Sequence, residues 1–169
     1  MLPSASPDTS PTAVATARFS VPAEDVWAYR LDFGNLPEYN PDVSDVRMVA
    51  EGEPDDAGGI RGPGARYAFR LADPRRPGSG HPVELWTVEA ERSVLVAAGM
   101  SGGTDAYEEF VVRPLDGGGC EATLTLWVDL PDSLPPDVRA AAARGSLEQI
   151  EKELRLMKQV LEGSAAPPH

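Results

Sequence analysis

Few residues in this sequence have side chains suited to catalysis. Histidine occurs only at His81 and His169, and Cys120 is the single cysteine. A zinc site or an imidazole relay needs several such residues close together, so we predict no metal site, no bound cofactor and no triad hydrolase. Cys120 has no partner for an intramolecular disulfide. It is the first of the alternating apolar residues of the last predicted strand, which indicates a buried and inert thiol.

Glu108 is the strongest candidate for acid–base chemistry. It alternates in phase with Phe110 and Val112, so an inward-facing register would place its carboxylate in an apolar interior. Such burial raises the pKa of a carboxyl group and suits it to act as a base near neutral pH. The opposite register turns Tyr107 and Val111 inward and leaves Glu108 in solvent. The sequence pattern favours this second register. It leaves open whether Trp86 points inward or outward.

A set of apolar side chains could line a pocket for a flat small molecule, because aromatic rings supply contact area and defined stacking geometry together. The ten candidates are Trp27, Tyr39, Tyr67, Phe69, Phe110, Leu124, Leu126, Leu154, Met157 and Leu161. Ordinary core packing predicts the same pattern. Core packing is favoured for Trp27 and Phe110, whereas Tyr39, Tyr67 and Met157 fit either role.

The elements that would position these residues begin with a strand from Val14 to Val21. A helix is predicted from Pro22 to about Asp32, since proline is favoured in the first turn and apolar residues recur at helical spacing. These apolar residues are Ala23, Val26, Trp27 and Leu31. Gly34 would stop this helix, and Asn35 would cap a second short helix that ends at Tyr39.

The period then changes to two, which predicts about six antiparallel strands. Their expected ranges are Val43–Ala50, Ala65–Leu71, Pro82–Glu91, Val94–Ala98, Ala106–Arg113 and Cys120–Leu130. Two pairs form hairpins, one across a tight turn at Glu91–Ser93 and one across glycines 117–119. In the last strand only Trp127 is apolar on the outer phase, where we expect one exposed aromatic ring.

Helical spacing returns from about Asp137 to Glu162. Its apolar stripe consists of Leu147, Ile150, Leu154, Met157 and Leu161, and a helix of this length can cross a whole sheet. The element order therefore predicts an α+β fold of about six to seven strands, with helix packed on sheet.

Composition limits the range of partners. The 169 residues include 27 acidic and 15 basic side chains, for a formal charge of −12. Such a surface repels phosphate backbones and anionic lipid heads, so we expect no nucleic-acid binding and no membrane insertion. With no signal sequence evident, a cytoplasmic monomer or homodimer is expected. We assign residues 1–13 to a disordered leader, 14–163 to one domain and 164–169 to a disordered tail.

Four segments together resemble the START-like (Bet v 1-like, SRPBCC) superfamily, in particular its bacterial polyketide cyclase/dehydrase-like members. They are V-P-A-E-D-V-W at Val21–Trp27, L-D-F-G-N-L-P-E-Y-N-P-D-V at Leu31–Val43, E-E-F-V-V-R-P at Glu108–Pro114 before a glycine turn and T-L-T-L, and L-x-x-M-K-x-x-L-E at Leu154–Glu162. The resemblance covers about Val14 to Gly163.

The resemblance implies a helix-grip fold, in which a curved antiparallel sheet surrounds the long C-terminal helix and leaves a cavity. It further implies binding of a hydrophobic or amphipathic small molecule such as a lipid, an isoprenoid, a quinone or a polyketide. The alternative is an aromatase-type polyketide cyclase or dehydratase. In that case Glu108 would be the base, and Tyr39 or Tyr67 would orient the substrate oxygen.

Overall fold

The computed structural model describes residues 9–55, 58–73, 76, 78–90, 93–100 and 106–165. Its strands are β1 (Ala13–Phe19), β2 (Val43–Ala50), β3 (Arg66–Ala72), β4 (Gly80–Ala90), β5 (Ser93–Met100), β6 (Ala106–Pro114) and β7 (Cys120–Val128). Its helices are α1 (Ala23–Leu31), α2 (Leu36–Tyr39) and α3 (Pro136–Ala165), with a 3₁₀ turn at Phe33–Asn35. The order of elements is the predicted one.

All seven strands form one antiparallel sheet in the order β1-β7-β6-β5-β4-β3-β2. Consecutive strands are neighbours from β2 to β7, as hairpin connections require, and β1 closes onto β7. The turn between β6 and β7 uses positive φ at Gly117, Gly118 and Gly119, which glycine adopts without steric cost. The expected turn at Glu91–Ser93 includes residues 91 and 92, which lie outside the described residues.

The long helix α3 contributes its predicted apolar stripe to the core. Ile150, Leu154 and Met157 are at most 2% exposed, and Leu147 and Leu161 pack at the margin of the same cluster. That cluster also contains inward side chains of the sheet, so helix and sheet share one hydrophobic core. The predicted α+β helix-grip class is confirmed.

The junction after α1 differs in detail from the expectation. Asp32 caps the 3₁₀ turn at Phe33–Asn35, because its Oδ1 accepts the N–H of Gly34 at 3.0 Å. Asn35 makes no side-chain cap; its Nδ2 instead donates to the carbonyl of Tyr29 at 3.0 Å. Both bonds close a tight chain reversal that brings α2 next to α1.

Trp127 lies on the outer face of the sheet as predicted, but the expectation that it is exposed is wrong. It is 8% exposed, as is Tyr107 opposite it on β6, and Trp86 and Val88 pack against this pair. The indole N–H donates to the carbonyl of Thr9 at 2.9 Å. Outward-pointing side chains of β4, β6 and β7 therefore form a second hydrophobic cluster. The alternation within any one strand does not reveal such a cluster.

The boundaries of the predicted leader and tail fall partly within the described chain. Thr12 pairs with β7 through its backbone N–H, and α3 extends through Ala165. Residues 1–8 of the leader and 166–169 of the tail lie outside the described residues. Over the part of the chain that is described, no helix is long and apolar enough to cross a membrane.

Candidate functional site

A cavity of about 200 Å³ lies among α1, α2, α3 and strands β3, β4 and β6. Its wall is mostly apolar, made by Phe33, Leu36, Phe69, Leu71, Val83 and Leu85. Four polar side chains also reach it, namely Arg30, Asn40, Glu108 and Glu153. An apolar recess with a few converging polar groups is the usual form of a small-molecule site.

Arg30 is the central charge of this site. It sits one helical turn after Val26 on the inward face of α1 and is 2% exposed. Its Nη1 donates to the Tyr39 hydroxyl, and its Nη2 donates to Glu108 in an ion pair. The guanidinium also lies 5.0–5.4 Å from the ring centroids of Phe33, Tyr39 and Phe110. These cation–π contacts and the ion pair together compensate its removal from water.

Glu108 lies on the inner face of β6, in phase with Phe110. The register pairs it with Leu126 on β7, and its side chain is 20% exposed at the cavity wall. The register that the sequence pattern favoured, with Glu108 in solvent, is therefore wrong. Trp86, whose orientation was open, is on the outer face. The ion pair with Arg30 offsets the cost of burying the Glu108 carboxylate.

Glu153 of α3 brings a second carboxyl group to the cavity. It is 6% exposed, and its Oε1 accepts from Asn40 Nδ2 at 3.0 Å and from Gln149 Nε2 at 3.3 Å. Burial raises the pKa of Glu153, while Arg30 and the two amides oppose that rise only in part. A protonated Glu153 would carry its O–H on Oε2 and could donate it to a ligand.

The raised pKa of Glu153 predicts a pH-dependent effect of Glu153→Gln. Since the folded-state pKa lies above the ordinary value of 4.5, the wild-type protein loses stability as pH rises from there through the folded-state value. The variant cannot ionise at this position. Its stability relative to the wild type should rise across that window, by at most about 1.4 kcal/mol per pH unit. Denaturant unfolding at pH 4 to 9 measures this.

Glu148→Gln, on the exposed face of the same helix, is the matched control, because it makes the same substitution on α3 away from the cavity. A Glu153→Gln profile that stays parallel to that of the wild type would contradict the assignment.

Two tyrosines predicted as cavity residues are buried beside the cavity but do not line it. Burial raises the pKa of Tyr39 to about 12 and that of Tyr67 to about 12, so both stay protonated at neutral pH. Tyr39 accepts from Arg30, whereas the Tyr67 hydroxyl has no hydrogen-bond partner among the described residues. Tyr67 instead stacks at a tilt against Phe33, with ring centroids 5.3 Å apart.

The other predicted site residues fall in three places. Phe69 and Glu108 line the cavity. Phe110, Leu124, Leu154 and Met157 are buried in the main core, and Trp27, Leu126 and Leu161 pack at its margin. The site therefore unites two of the predicted residues with several that the sequence analysis did not single out.

Arg30, Asn40 and Glu153 were missed. Arg30 and Glu153 had a recognisable signal, because each is a charged residue in phase with an apolar helical stripe. Arg30 follows Val26 by four positions, and Glu153 follows Ile150 by three. A charged residue at a core position is rarely buried unless it is paired, so two such exceptions on different helices indicate a common polar site.

The cysteine lies outside this cavity. Cys120 is fully buried, and burial raises the pKa of its thiol, in agreement with the predicted inert role. Within the described ranges, no group of three or more His, Cys, Asp or Glu residues could hold a metal ion.

The fold and the cavity define a helix-grip domain with an internal cavity. The chain belongs to the family described as "Polyketide cyclase / dehydrase and lipid transport", which matches residues 10–162. The resemblance to START-like proteins is thus confirmed. Among curated proteins, none matches this sequence.

Solved structures show the same fold at low sequence identity. A START superfamily protein from Mycobacterium smegmatis has a TM-score of 0.67 and 16% identity over 88% of this chain and 97% of its own. The protein TTHA0849 from Thermus thermophilus has a TM-score of 0.67 and 17% identity over 91% and 99%. Ara h 8.0201 has a TM-score of 0.58 and 15% identity over 88% and 96%.

Family and fold together indicate a SRPBCC-type ligand-binding or polyketide cyclase-like role. Because these structural relatives are distant in sequence, they establish the fold alone, and the ligand must be inferred from this chain's own side chains.

Proposed function

We propose that this protein binds a hydrophobic or amphipathic small molecule in the cavity between the sheet and α3. The observation that carries the proposal is the composition of the wall, in which apolar side chains form most of the lining and a cluster of four polar side chains, Arg30, Asn40, Glu108 and Glu153, reaches the same cavity. An apolar ligand body would gain about 25 cal/mol for each Å² that it removes from water. The polar cluster would fix the orientation of the ligand.

The polar cluster offers a ligand both donors and acceptors. Arg30 uses two nitrogens on protein partners, while its buried Nε has no hydrogen-bond partner among the described residues. Asn40 and Glu153 complete the cluster from two other elements. Glu108, one-fifth exposed, contributes a carboxylate to the same wall.

The proposed ligand classes are lipids, isoprenoids, quinones and polyketides, bound by a monomer or homodimer in the cytoplasm. The net charge of −12 supports a small molecule over nucleic acid or an anionic membrane surface as the partner.

Filling the cavity should weaken this binding. Val83→Phe adds a ring to the cavity wall, so we expect a loss of affinity of about tenfold or more, equivalent to about 1.4 kcal/mol or more. Native mass spectrometry of protein purified from its own host measures retained ligand. Val14→Phe makes the same change at a side chain that is 47% exposed on β1, so it should retain ligand like the wild type. Equal retention by both variants would contradict binding in this cavity.

A second candidate is catalysis by a polyketide cyclase or dehydratase. It is favoured by one observation, the Glu108 carboxylate on the cavity wall. A carboxylate there could remove a proton from a carbon next to a bound carbonyl group. Arg30 would then hold the developing oxygen anion. Neither Tyr39 nor Tyr67 lines the cavity, so their proposed part in orienting the substrate is the weaker element of this candidate.

A further inference from the structure

The charged side chains that line the cavity restrict the charge of the ligand that it can bind. Among the described residues that line the cavity, Arg30 carries the one positive charge, and Glu108 is already paired with it. The remaining ionisable residue in the described part of the lining is Glu153, which adds either no charge or a negative one. The net charge of these residues is therefore zero when Glu153 is protonated and negative when Glu153 is ionised.

A carboxylate ligand is opposed by this arrangement. To pair with Arg30 it would have to displace Glu108, whose uncompensated charge would then remain at the cavity, or it would lie next to Glu108 as a like charge. Both alternatives cost free energy in a site of low dielectric constant. A cationic ligand could pair with Glu108 only by leaving Arg30 unpaired among three aromatic rings. It could pair with Glu153 only after that carboxyl group loses its proton, which burial opposes by raising its pKa.

An uncharged oxygen meets neither penalty. A ketone oxygen can accept a hydrogen bond from an N–H of Arg30 or Asn40, and a hydroxyl group can also donate one to Glu153. Neither interaction requires the Arg30–Glu108 pair to separate. Neutral hydrogen bonds of this kind set orientation without a new buried charge.

Cavity size restricts the apolar part of the ligand. A cavity of about 150 Å³ lined by apolar side chains can hold benzene, and sites for drug-sized ligands begin near 300 Å³. The cavity here, at about 200 Å³, accommodates one ring with a short substituent. Phe33 and Phe69 line it and offer ring faces and edges to such a ligand.

We propose that the cavity selects a compact, uncharged molecule, one aromatic or cyclic unit bearing a carbonyl or hydroxyl oxygen, and discriminates against carboxylates and amines of the same size. This inference rests on the proposed binding function and names the ligand class for that same site.

Three probes of similar size test the selection by isothermal titration calorimetry at pH 7. They are acetophenone, benzoate and benzylamine, which are uncharged, anionic and cationic. We expect acetophenone to bind the wild-type protein about tenfold or more tightly than either ion. Equal or tighter binding of benzoate or benzylamine would overturn the charge selection and leave the binding function standing. Failure of all three probes to bind would overturn the compact class alone if the protein still retains a larger host molecule, and both proposals if it retains none.

Glu108→Gln tests the cause of the selection. With its partner neutral, Arg30 becomes available to an anion, so the ratio of benzoate to acetophenone affinity should rise by about tenfold or more. Glu84→Gln, an exposed change on β4, should leave that ratio unchanged. An unaltered ratio in folded Glu108→Gln protein would overturn the role assigned to the ion pair. If this variant does not fold, the wild-type comparison still decides the proposal.

Discussion

Replacing Arg30 with methionine should lower the free energy of unfolding by about 3 kcal/mol. Removal of one partner from a buried ion pair leaves the other charge uncompensated, which costs about 3 to 5 kcal/mol. The lower end applies because Glu108 is 20% exposed. The variant also loses the hydrogen bond to Tyr39 and the contacts with three aromatic rings. Denaturant unfolding at pH 7 measures the change.

A double variant distinguishes the cost of leaving the Glu108 carboxylate unpaired from the cost of losing the packing of Arg30. Addition of Glu108→Gln to Arg30→Met removes the unpaired carboxylate, so it should restore a substantial part of the lost stability, because methionine fills much of the space of the arginine stem. Strictly additive destabilisation by the two substitutions would contradict an energetic coupling between Arg30 and Glu108.

Glu108→Gln should reduce turnover by about two to four powers of ten if the chain acts as a cyclase or dehydratase. Glutamine retains the shape of the side chain but cannot accept a proton as a base, and a general base contributes about this factor. The measurement is cyclisation or dehydration of a carbonyl-rich substrate by purified protein, followed as product formed per enzyme molecule.

Glu109→Gln makes the same change one residue further along β6, on the opposite phase, and should retain full turnover. Intact turnover in Glu108→Gln protein would remove the catalytic assignment and leave the binding function as the account of the cavity.

The fold was predictable because its signals repeat. The alternation in β7 and the stripe of α3 each extend over several residues, so an isolated exception such as Trp127 does not obscure them. The glycines at 117–119 mark a turn by a backbone requirement that other residues meet poorly. In α3 the hydrophobic pattern also specifies which face enters the main core.

The cavity was less predictable because periodicity gives the direction of a side chain and not its depth. Phe69 on β3 and Phe110 on β6 both point inward from the sheet, yet of these two only Phe69 lines the cavity. Which inward residue meets a packed neighbour and which meets open space depends on how α1, α2 and α3 cross the sheet, and a single sequence does not specify those crossings.

The polar cluster shows what the sequence analysis lacked. Glu108 was considered alone, and alone it is better placed in solvent, since burial of an unpaired carboxylate is costly. Arg30 reverses that preference from a position 78 residues away in the chain. A search for charged residues in phase with apolar stripes would have supplied Arg30 and Glu153 as partners.

The central claim is that a small molecule binds in the cavity among α1, α2, α3 and the sheet. Methyl-detected NMR of wild-type protein with acetophenone tests it most directly, since intermolecular contacts report which methyl groups touch the probe. We predict contacts to Leu36, Leu71, Val83 and Leu85, which line the cavity, and none to the exposed Val14 and Val138. Contacts confined to exposed methyl groups, or saturable binding without any contact to the four lining residues, would contradict the claim.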